Sequence, residues 1–261
     1  MNYNTKTLDS DRCKRVRSIL VSQPEKANGT SPYDNLTNNY NIKIDFIPFI
    51  EVEGVPELTL RKEEKLNLSN FTSVIFTSKN AIDNFFRVAN EMRFDPKGFK
   101  YFCQFEVLAN YLQIYIDYKK RNVFIGKKTI QDMAGYLKKH SKEKFLLPSS
   151  DILNSTTVDC LNKLGINWTR SCMYKTVSSD LSNLKDVSYD MLVFFSPLGI
   201  KSLFDNFPEF KQNDTRIAVY GSSTLEAVER RGLICDIKAP TVESTSMIMN
   251  IEKYVELSNK K

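Results

Sequence analysis

The sequence predicts an α/β protein of two lobes, each built around a parallel β-sheet. Three observations lead to this fold class. At 261 residues, the chain exceeds the roughly 100 to 150 residues of a usual single domain. Short apolar runs alternate with segments of helical period along nearly its whole length, as in βα units. One motif also occurs twice, as VIFTSKNAIDNFF in residues 74–86 and as LVFFSPLGIKSLF in residues 192–204.

The predicted strands are short and almost continuously apolar, as expected of strands that are covered on both faces. They are Val16–Ser22, Ser73–Thr77, Lys100–Cys103, Asn122–Ile125, Phe145–Pro148, Asp190–Phe195, Arg216–Tyr220 and Ile234–Lys238. Such strands favour parallel sheets that have helices on both sides.

The segments between the strands have the period of amphipathic helices. In residues 82–89 and 247–255, the apolar side chains fall on one helical face. Two further helices are predicted to end at Gly165 and Gly232, each of which leads into a strand. Glycine suits these positions because the residue after the last helical turn commonly has a positive φ.

Two extended segments interrupt the alternation, and we interpret them as strands that cross between the lobes. Residues 42–52 are apolar and contain Pro48, whereas residues 170–177 are polar and β-prone. The predicted boundaries are 1–43 with 178–261 for a discontinuous first lobe, 53–169 for the second lobe, and 44–52 with 170–177 for the linker strands. The alternative is two lobes in series along the chain.

The composition narrows the class of ligand and the cellular compartment. The net charge of +6 and the pI of about 8.9 suggest an acidic ligand. The lysines and arginines are scattered, without a concentrated stripe or a recognisable module, so no nucleic-acid partner is expected. The five cysteines are far apart and form no C-x-x-C pair, which fits a reduced compartment. No apolar run reaches the roughly 18 residues of a membrane span, and we expect a cytoplasmic protein without a membrane partner.

Small polar residues follow four of the predicted strands. They are Thr77 and Ser78, Ser149 and Ser150, Ser196, and the run Gly221, Ser222, Ser223 and Thr224. Ligands of parallel α/β sheets bind at the carboxyl ends of strands, where helix N-termini receive anions. Each residue could instead be a helix N-cap, but four such ends over two lobes favour a cleft for an anionic molecule.

Several common site types are missing from the sequence. The single histidine, His140, lies in the Lys-Lys-His end of a predicted helix, where a cation is expected. Without a second histidine or a cysteine cluster, neither a metal site nor a Ser-His-Asp triad is expected. The Gly-rich nucleotide loops are absent, so we expect no cofactor. A flavin on a flavodoxin-like lobe is the weaker alternative, and it would give a yellow protein.

An ordered series of motifs resembles the uroporphyrinogen-III synthase family. The series is V-I-F-T-S-x-N-A from Val74, Y-x-T-V from Tyr174, F-F-S-P-x-G-I-x-S-L-F from Phe194, G-S-S-T-L-E-A from Gly221, and A-P-T from Ala239. The resemblance spans residues 16–256. It implies two flavodoxin-like or Rossmann-like α/β lobes with parallel sheets, joined by a two-stranded β linker, with the first βα unit in the C-terminal lobe.

The resemblance also implies a reaction that needs no cofactor. Linear hydroxymethylbilane loses its terminal hydroxyl as water, and the resulting azafulvene attacks the substituted end of the last pyrrole. A spiro intermediate then rearranges, so that the macrocycle closes with ring D inverted. The implied ligand is therefore an octacarboxylate linear tetrapyrrole. We expect a monomer that could make transient contact with hydroxymethylbilane synthase, because the substrate is unstable.

Several of the family's functional residues match positions of this chain. Tyr174 matches the linker tyrosine that is proposed to assist departure of the hydroxyl, although it could equally pack one lobe on the other. The predicted substrate-binding residues are Thr77, Ser78, Asn80, Ser149, Ser196, Gly221, Ser222, Ser223 and Thr224, of which Ser78, Ser196 and Thr224 match family positions. Thr224 is expected to contact a carboxylate together with the N–H groups of Ser222 and Ser223.

One loop departs from the family pattern. A second glycine-x-x-threonine motif is expected after the strand Lys100–Cys103, but this chain has Phe105 and Leu108 at those positions. Phe105 does not allow the close backbone approach that glycine does. This departure favours an alternative from a different class, a non-catalytic two-lobed binding or regulatory protein that keeps the synthase fold.

Overall fold

The computed structural model describes residues 11–25 and 31–259, which form two compact units. Unit 1 contains the described residues up to Glu51 together with those from Val177 onward, and unit 2 is Val52–Thr176. Parts of the predicted first lobe, residues 1–10, 26–30 and 260–261, lie outside the described residues. The chain passes from one unit to the other twice, so unit 1 is built from two separate stretches of sequence.

Unit 1 is a five-stranded sheet with the strand order β11-β10-β9-β1-β2, and its paired strands are parallel. Its strands are β1 (Ser18–Val21), β2 (Lys43–Phe46), β9 (Met191–Phe194), β10 (Arg216–Tyr220) and β11 (Ile237–Ala239). Its helices are α1 (Asp34–Tyr40), α7 (Pro197–Asn206), α8 (Ser222–Arg230) and α9 (Met247–Asn259), with a 3₁₀ turn at Ser182–Leu184. Apolar clusters lie on both faces of this sheet, which is why its strands are apolar throughout.

Unit 2 is a six-stranded sheet with the strand order β3-β8-β7-β4-β5-β6, parallel from β8 to β6. Its strands are β3 (Ile50–Gly54), β4 (Ser73–Phe76), β5 (Lys100–Cys103), β6 (Val123–Ile125), β7 (Lys144–Ser150) and β8 (Asn167–Ser178). Its helices are α2 (Glu57–Glu63), α3 (Lys79–Glu91), α4 (Glu106–Leu112), α5 (Ala134–Lys139) and α6 (Ser155–Leu164). Its 3₁₀ turns are Leu68–Asn70, Lys120–Asn122 and Ile130–Met133. The predicted α/β fold class with two parallel sheets is confirmed.

The repeated motif is the same strand-turn-helix unit placed once in each sheet. It forms β4 and α3 in unit 2, and β9 and α7 in unit 1. Ser78 and Ser196 cap the two helices, because their hydroxyls accept the N–H groups of Ala81 and Gly199 at 3.1 and 3.3 Å. Both serines have the extended backbone that an N-cap requires.

The predicted crossing segment, residues 42–52, is two strands rather than one. β2 pairs with β1 inside the sheet of unit 1, whereas β3 follows Pro48 and lies beside β8. Proline has no N–H to donate to a ladder, so regular pairing stops there. The predicted strand at Ile234 also begins later, at Ile237, because the Gln212 side chain bonds both the N–H and the carbonyl of Ile234.

Candidate functional site

Tyr174 and Ser78 meet at the carboxyl edge of the sheet of unit 2. Their hydroxyl oxygens are 2.9 Å apart, although the residues are 96 positions apart in the sequence. Ser78 is brought there by its capping role at the start of α3, and Tyr174 by its place near the end of β8. The structure thus joins two of the residues that the sequence nominated into one hydroxyl pair.

Tyr174 is 7% exposed and belongs to the apolar core of unit 2. Burial raises the pKa of its phenol, although the hydrogen bond with Ser78 opposes that shift. The phenol is therefore protonated at neutral pH. In that state Tyr174 can donate a proton but cannot act as a base.

The strand end that carries Tyr174 is held by side chains of β7 and β8. Arg170 donates from Nε to Ser149 Oγ at 2.9 Å and from Nη2 to the carbonyls of Ser150 and Asp151. The Asp151 N–H in turn donates to the Tyr174 carbonyl, and the Asp151 carboxylate accepts the N–H of Thr176. These bonds fix the backbone on both sides of Tyr174.

A second arginine ties α3 to the strand β8. Arg87 Nη2 donates to the carbonyl of Met173 at 3.0 Å and to that of Val55 at 2.9 Å. Its Nε donates to Asn84 Oδ1 at 3.1 Å. Because Met173 directly precedes Tyr174, and α3 begins beside Ser78, this guanidinium connects the two elements that carry the hydroxyl pair. Neither Arg87 nor Arg170 was nominated from the sequence.

Ser149 does not lie at a helix N-terminus, contrary to its predicted position. β7 continues to Ser150, and α6 begins only at Ser155, where Asn154 is the cap. Ser149 is 2% exposed, and its hydroxyl is engaged by Arg170. The strand runs on because β8 pairs with it along its whole length, with an irregularity at Ser149 and Ser150.

Thr77 and Asn80 are the other predicted site residues near Ser78. Thr77 is half-buried, while Asn80 is exposed in the first turn of α3 and its carbonyl accepts the side-chain N–H of Asn84. Neither side chain contacts the hydroxyl pair in a described hydrogen bond. Their part in ligand binding stays a prediction.

In unit 1, the run from Gly221 to Thr224 begins the helix α8. Gly221 has φ of 86°, a conformation that favours glycine, and its N–H donates to the carbonyl of Ala239 at 2.7 Å. Because Gly221 has no side chain, no cap accepts the first N–H groups of the helix, those of Ser222, Ser223 and Thr224. Ser222 and Ser223 are exposed, while the Thr224 side chain is 1% exposed and faces the core.

The loop that departs from the family pattern also has a different backbone. Phe105 is the N-cap residue of α4 with φ of −152° and makes no side-chain cap bond. Its ring packs against the core of unit 2. The corresponding position in unit 1 is Gly221, with its positive φ. In the loop after β5, Phe105 therefore has a packing role.

Neither a metal centre nor a membrane-spanning helix occurs in the described residues. No group of three or more His, Cys, Asp and Glu side chains there is placed to hold a metal ion. No helix in residues 11–25 and 31–259 has the length and apolar character needed to cross a bilayer.

His140 follows α5 as expected, but the centroid of its ring lies 4.6 Å from that of Phe124, and burial lowers the pKa of His140. A positive charge on His140 is therefore disfavoured, and Lys138 and Lys139 are the cations in the last turn of α5.

Two units with parallel sheets place the chain in the class of two-domain α/β proteins. A family model described as uroporphyrinogen-III synthase HemD matches residues 33–249. The chain belongs to the uroporphyrinogen-III synthase family, so it is a cyclising lyase of haem biosynthesis that acts on a tetrapyrrole.

Solved structures resemble the fold. Uroporphyrinogen-III synthetase from Helicobacter pylori is 19% identical, with 92% of this chain and 99% of that chain covered and a TM-score of 0.57. A mutant uroporphyrinogen III synthase from Thermus thermophilus is 12% identical, with 94% and 100% covered and a TM-score of 0.49. A search of curated protein sequences found no match.

Proposed function

We propose that Tyr174 is the proton donor to the hydroxyl that leaves hydroxymethylbilane, and that Ser78 supports it. The observation that carries this proposal is the 2.9 Å contact between the two hydroxyl oxygens. A phenol near the breaking C–O bond can donate a proton to the departing oxygen.

The hydrogen bonds around Ser78 favour one direction of donation. Ser78 Oγ accepts the N–H of Ala81, and its own hydrogen can then be donated to the phenol oxygen. The Tyr174 O–H is left free for a substrate oxygen. Negative charge that develops on the phenol oxygen is stabilised by Ser78 and by the positive end of the 13-residue helix α3.

The proposed step balances without a cofactor. The hydroxymethyl C–O bond breaks with its electron pair on oxygen, which takes the Tyr174 proton and leaves as water. The pyrrole nitrogen supplies the electrons and keeps its proton, so the azafulvene forms as its N-protonated cation. After the attack on the last pyrrole and the rearrangement that inverts ring D, a ring carbon loses a proton, which restores the phenol.

Unit 1 supplies binding for carboxylates in this proposal. The uncapped N–H groups of Ser222, Ser223 and Thr224 point along the axis of α8, whose positive end favours anions. The Ser196 hydroxyl caps the N-terminus of α7 in the same unit. The substrate's carboxylates match these donors and the net charge of +6. Since the Thr224 side chain is buried, we assign its contribution to its N–H group.

We further propose that the protein works as a cytoplasmic monomer on the octacarboxylate bilane. Transient contact with hydroxymethylbilane synthase belongs to the same proposal, since the bilane is unstable. Sedimentation of the chain alone, and then mixed with that synthase, tests both points: a single species at the monomer mass is expected alone, and a weak complex in the mixture.

The decisive experiment is an isomer analysis. The protein is given freshly generated hydroxymethylbilane, the products are oxidised, and uroporphyrins I and III are separated by chromatography. Spontaneous closure gives type I, which serves as the internal control. We expect type III in proportion to added enzyme, with Tyr174→Phe turning over several-fold more slowly while staying folded. Equal rates for wild type and Tyr174→Phe would remove the catalytic hydroxyl from the proposal.

A matched pair of capping variants separates chemistry from stability. Ser78→Ala removes both a helix cap and the partner of Tyr174, whereas Asn154→Ala removes only the cap of α6. Each loses about 1 kcal/mol of unfolding free energy, the usual cost of an N-cap. Only Ser78→Ala is expected to slow type III formation, and a similar slowing in Asn154→Ala would show that the effect is one of stability.

A further inference from the structure

A cavity of about 260 Å³ opens at the carboxyl edge of the sheet of unit 1. The ends of four strands reach it, since its lining includes Val21 of β1, Phe46 of β2, Phe195 after β9 and Tyr220 of β10. Met247 and Ile248 of α9 form another wall. Such an edge is where parallel α/β sheets bind ligands.

Tyr33 lines this cavity, and its hydroxyl group is unpaired among the described residues. The residue is 5% exposed, and its hydroxyl has no hydrogen-bond partner in the described part of the chain. Its ring packs edge-on against Phe46, with the ring centroids 5.4 Å apart. Burial raises the pKa of Tyr33 to about 12, so the group is a neutral phenol. A buried hydroxyl without a partner is costly, and a ligand that pairs with it would remove that cost.

The walls of the cavity select the chemistry of what enters. They are mainly apolar and aromatic, and the rings of Phe195 and Tyr220 stack with centroids 6.2 Å apart. The carboxylate of Glu25 is among the described lining residues, and its charge disfavours an anionic group beside it. A flat, uncharged ring that offers an N–H donor suits both the walls and the phenol oxygen.

We propose that this cavity is the subsite for one pyrrole ring of the tetrapyrrole, and that the Tyr33 oxygen accepts the N–H of that ring. The volume is below the roughly 300 to 1,000 Å³ of pockets that take a whole drug-sized ligand, so it fits one part of the substrate. The carboxylate arms of the ring stay outside, close to the proposed donors, because Tyr220 precedes Gly221 and Phe195 precedes Ser196. The subsite rests on the proposed function, since it takes its ligand class from it.

A monopyrrole tests the subsite without requiring turnover. Porphobilinogen is titrated into protein labelled with ¹³C at the methionine methyl groups, and the Met247 resonance, identified with a Met247→Leu variant, is followed. We expect a saturable shift of this resonance. Tyr33→Phe should weaken binding about three- to tenfold, the size of one neutral hydrogen bond, while its thermal midpoint stays equal to wild type or rises, because the lost hydroxyl was unpaired.

Tyr40→Phe is the matched control, because it removes a hydroxyl that bonds Glu256 at 3.1 Å and does not line the cavity. Its affinity for porphobilinogen should equal that of wild type. Unchanged affinity in Tyr33→Phe, or a Met247 resonance that does not move, would overturn the subsite even if type III product is formed. Conversely, tight binding that depends on Tyr33 in a protein that forms only type I would support the subsite and refute the proposed function.

Discussion

Substituting Gly54 by alanine tests how α3 is tied to the strand that carries Tyr174. A Cβ at this position would lie 2.8 Å from both Cζ and Nε of Arg87. Only the guanidinium can give way, and it would then lose its bonds to the carbonyls of Val55 and Met173. Charge-assisted hydrogen bonds contribute about 1.5 to 3 kcal/mol each, and less here because the Arg87 side chain is 30% exposed.

The expected loss of unfolding free energy in Gly54→Ala is therefore about 2 kcal/mol for the two bonds, reduced by the roughly 0.5 kcal/mol that alanine gains by restricting the unfolded chain. Urea unfolding followed by Trp168 fluorescence measures it, because Trp168 is the only tryptophan and lies in unit 2. In an Arg87→Ala background the space is free, so Gly54→Ala should be neutral or slightly stabilising. Equal destabilisation in both backgrounds would refute the clash with Arg87.

The other predictions concern charge, protonation and reactivity. Burial and the charge of Lys100 lower the pKa of His140. The stability that neutral His140 allows is therefore present above the ordinary histidine pKa of about 6.5 and is lost as the pH falls. Between about pH 7 and pH 5, wild type should lose more unfolding free energy than His140→Gln, and parallel curves would contradict this. The Asp236 side chain is 3% exposed and accepts two hydrogen bonds from Arg12. Asp236→Asn should therefore lower the unfolding free energy by about 3 kcal/mol, measured by denaturant unfolding followed by circular dichroism. A loss below about 1 kcal/mol would show that the pair is dispensable. Burial raises the pKa of the Cys103 thiol to about 12, so mass spectrometry should find it alkylated by iodoacetamide only after unfolding; labelling of the native protein there would contradict its burial.

The fold was predictable where its signals are local. Continuous apolar runs marked β4, β5 and β10 to within a residue, because a strand buried on both faces must be apolar throughout. Gly165 marked the end of α6, and its φ of 64° shows why glycine is there. Ile234 was placed in a strand because it is apolar, but a side chain from another segment, Gln212, holds its backbone instead.

The site was predictable only in part, because its contacts are not local. Ser78 could be nominated because it follows a strand and precedes a helix, which is a local pattern. The contact with Tyr174 depends on how β8 lies in the sheet, and nothing in the surrounding sequence records it. Arg87 and Arg170 are two of 37 basic residues, and no neighbouring residue distinguishes them from surface charges. Only the fold shows that each donates to backbone carbonyls beside the candidate site.

The two copies of the repeated motif show why the same local sequence can have different chemical roles. In both, a serine caps a helix by accepting the N–H three residues later, so the cap alone explains why serine occurs twice. In unit 1 that residue is Gly199, where a Cβ would meet the ring of Phe194 at 3.2 Å, so tight packing shapes this copy. In unit 2 it is Ala81, and the serine hydroxyl has a second partner, Tyr174. The capping bond therefore explains the serine in both copies. The contact with the Tyr174 phenol occurs in unit 2, and it is the basis of the chemical role proposed for Ser78.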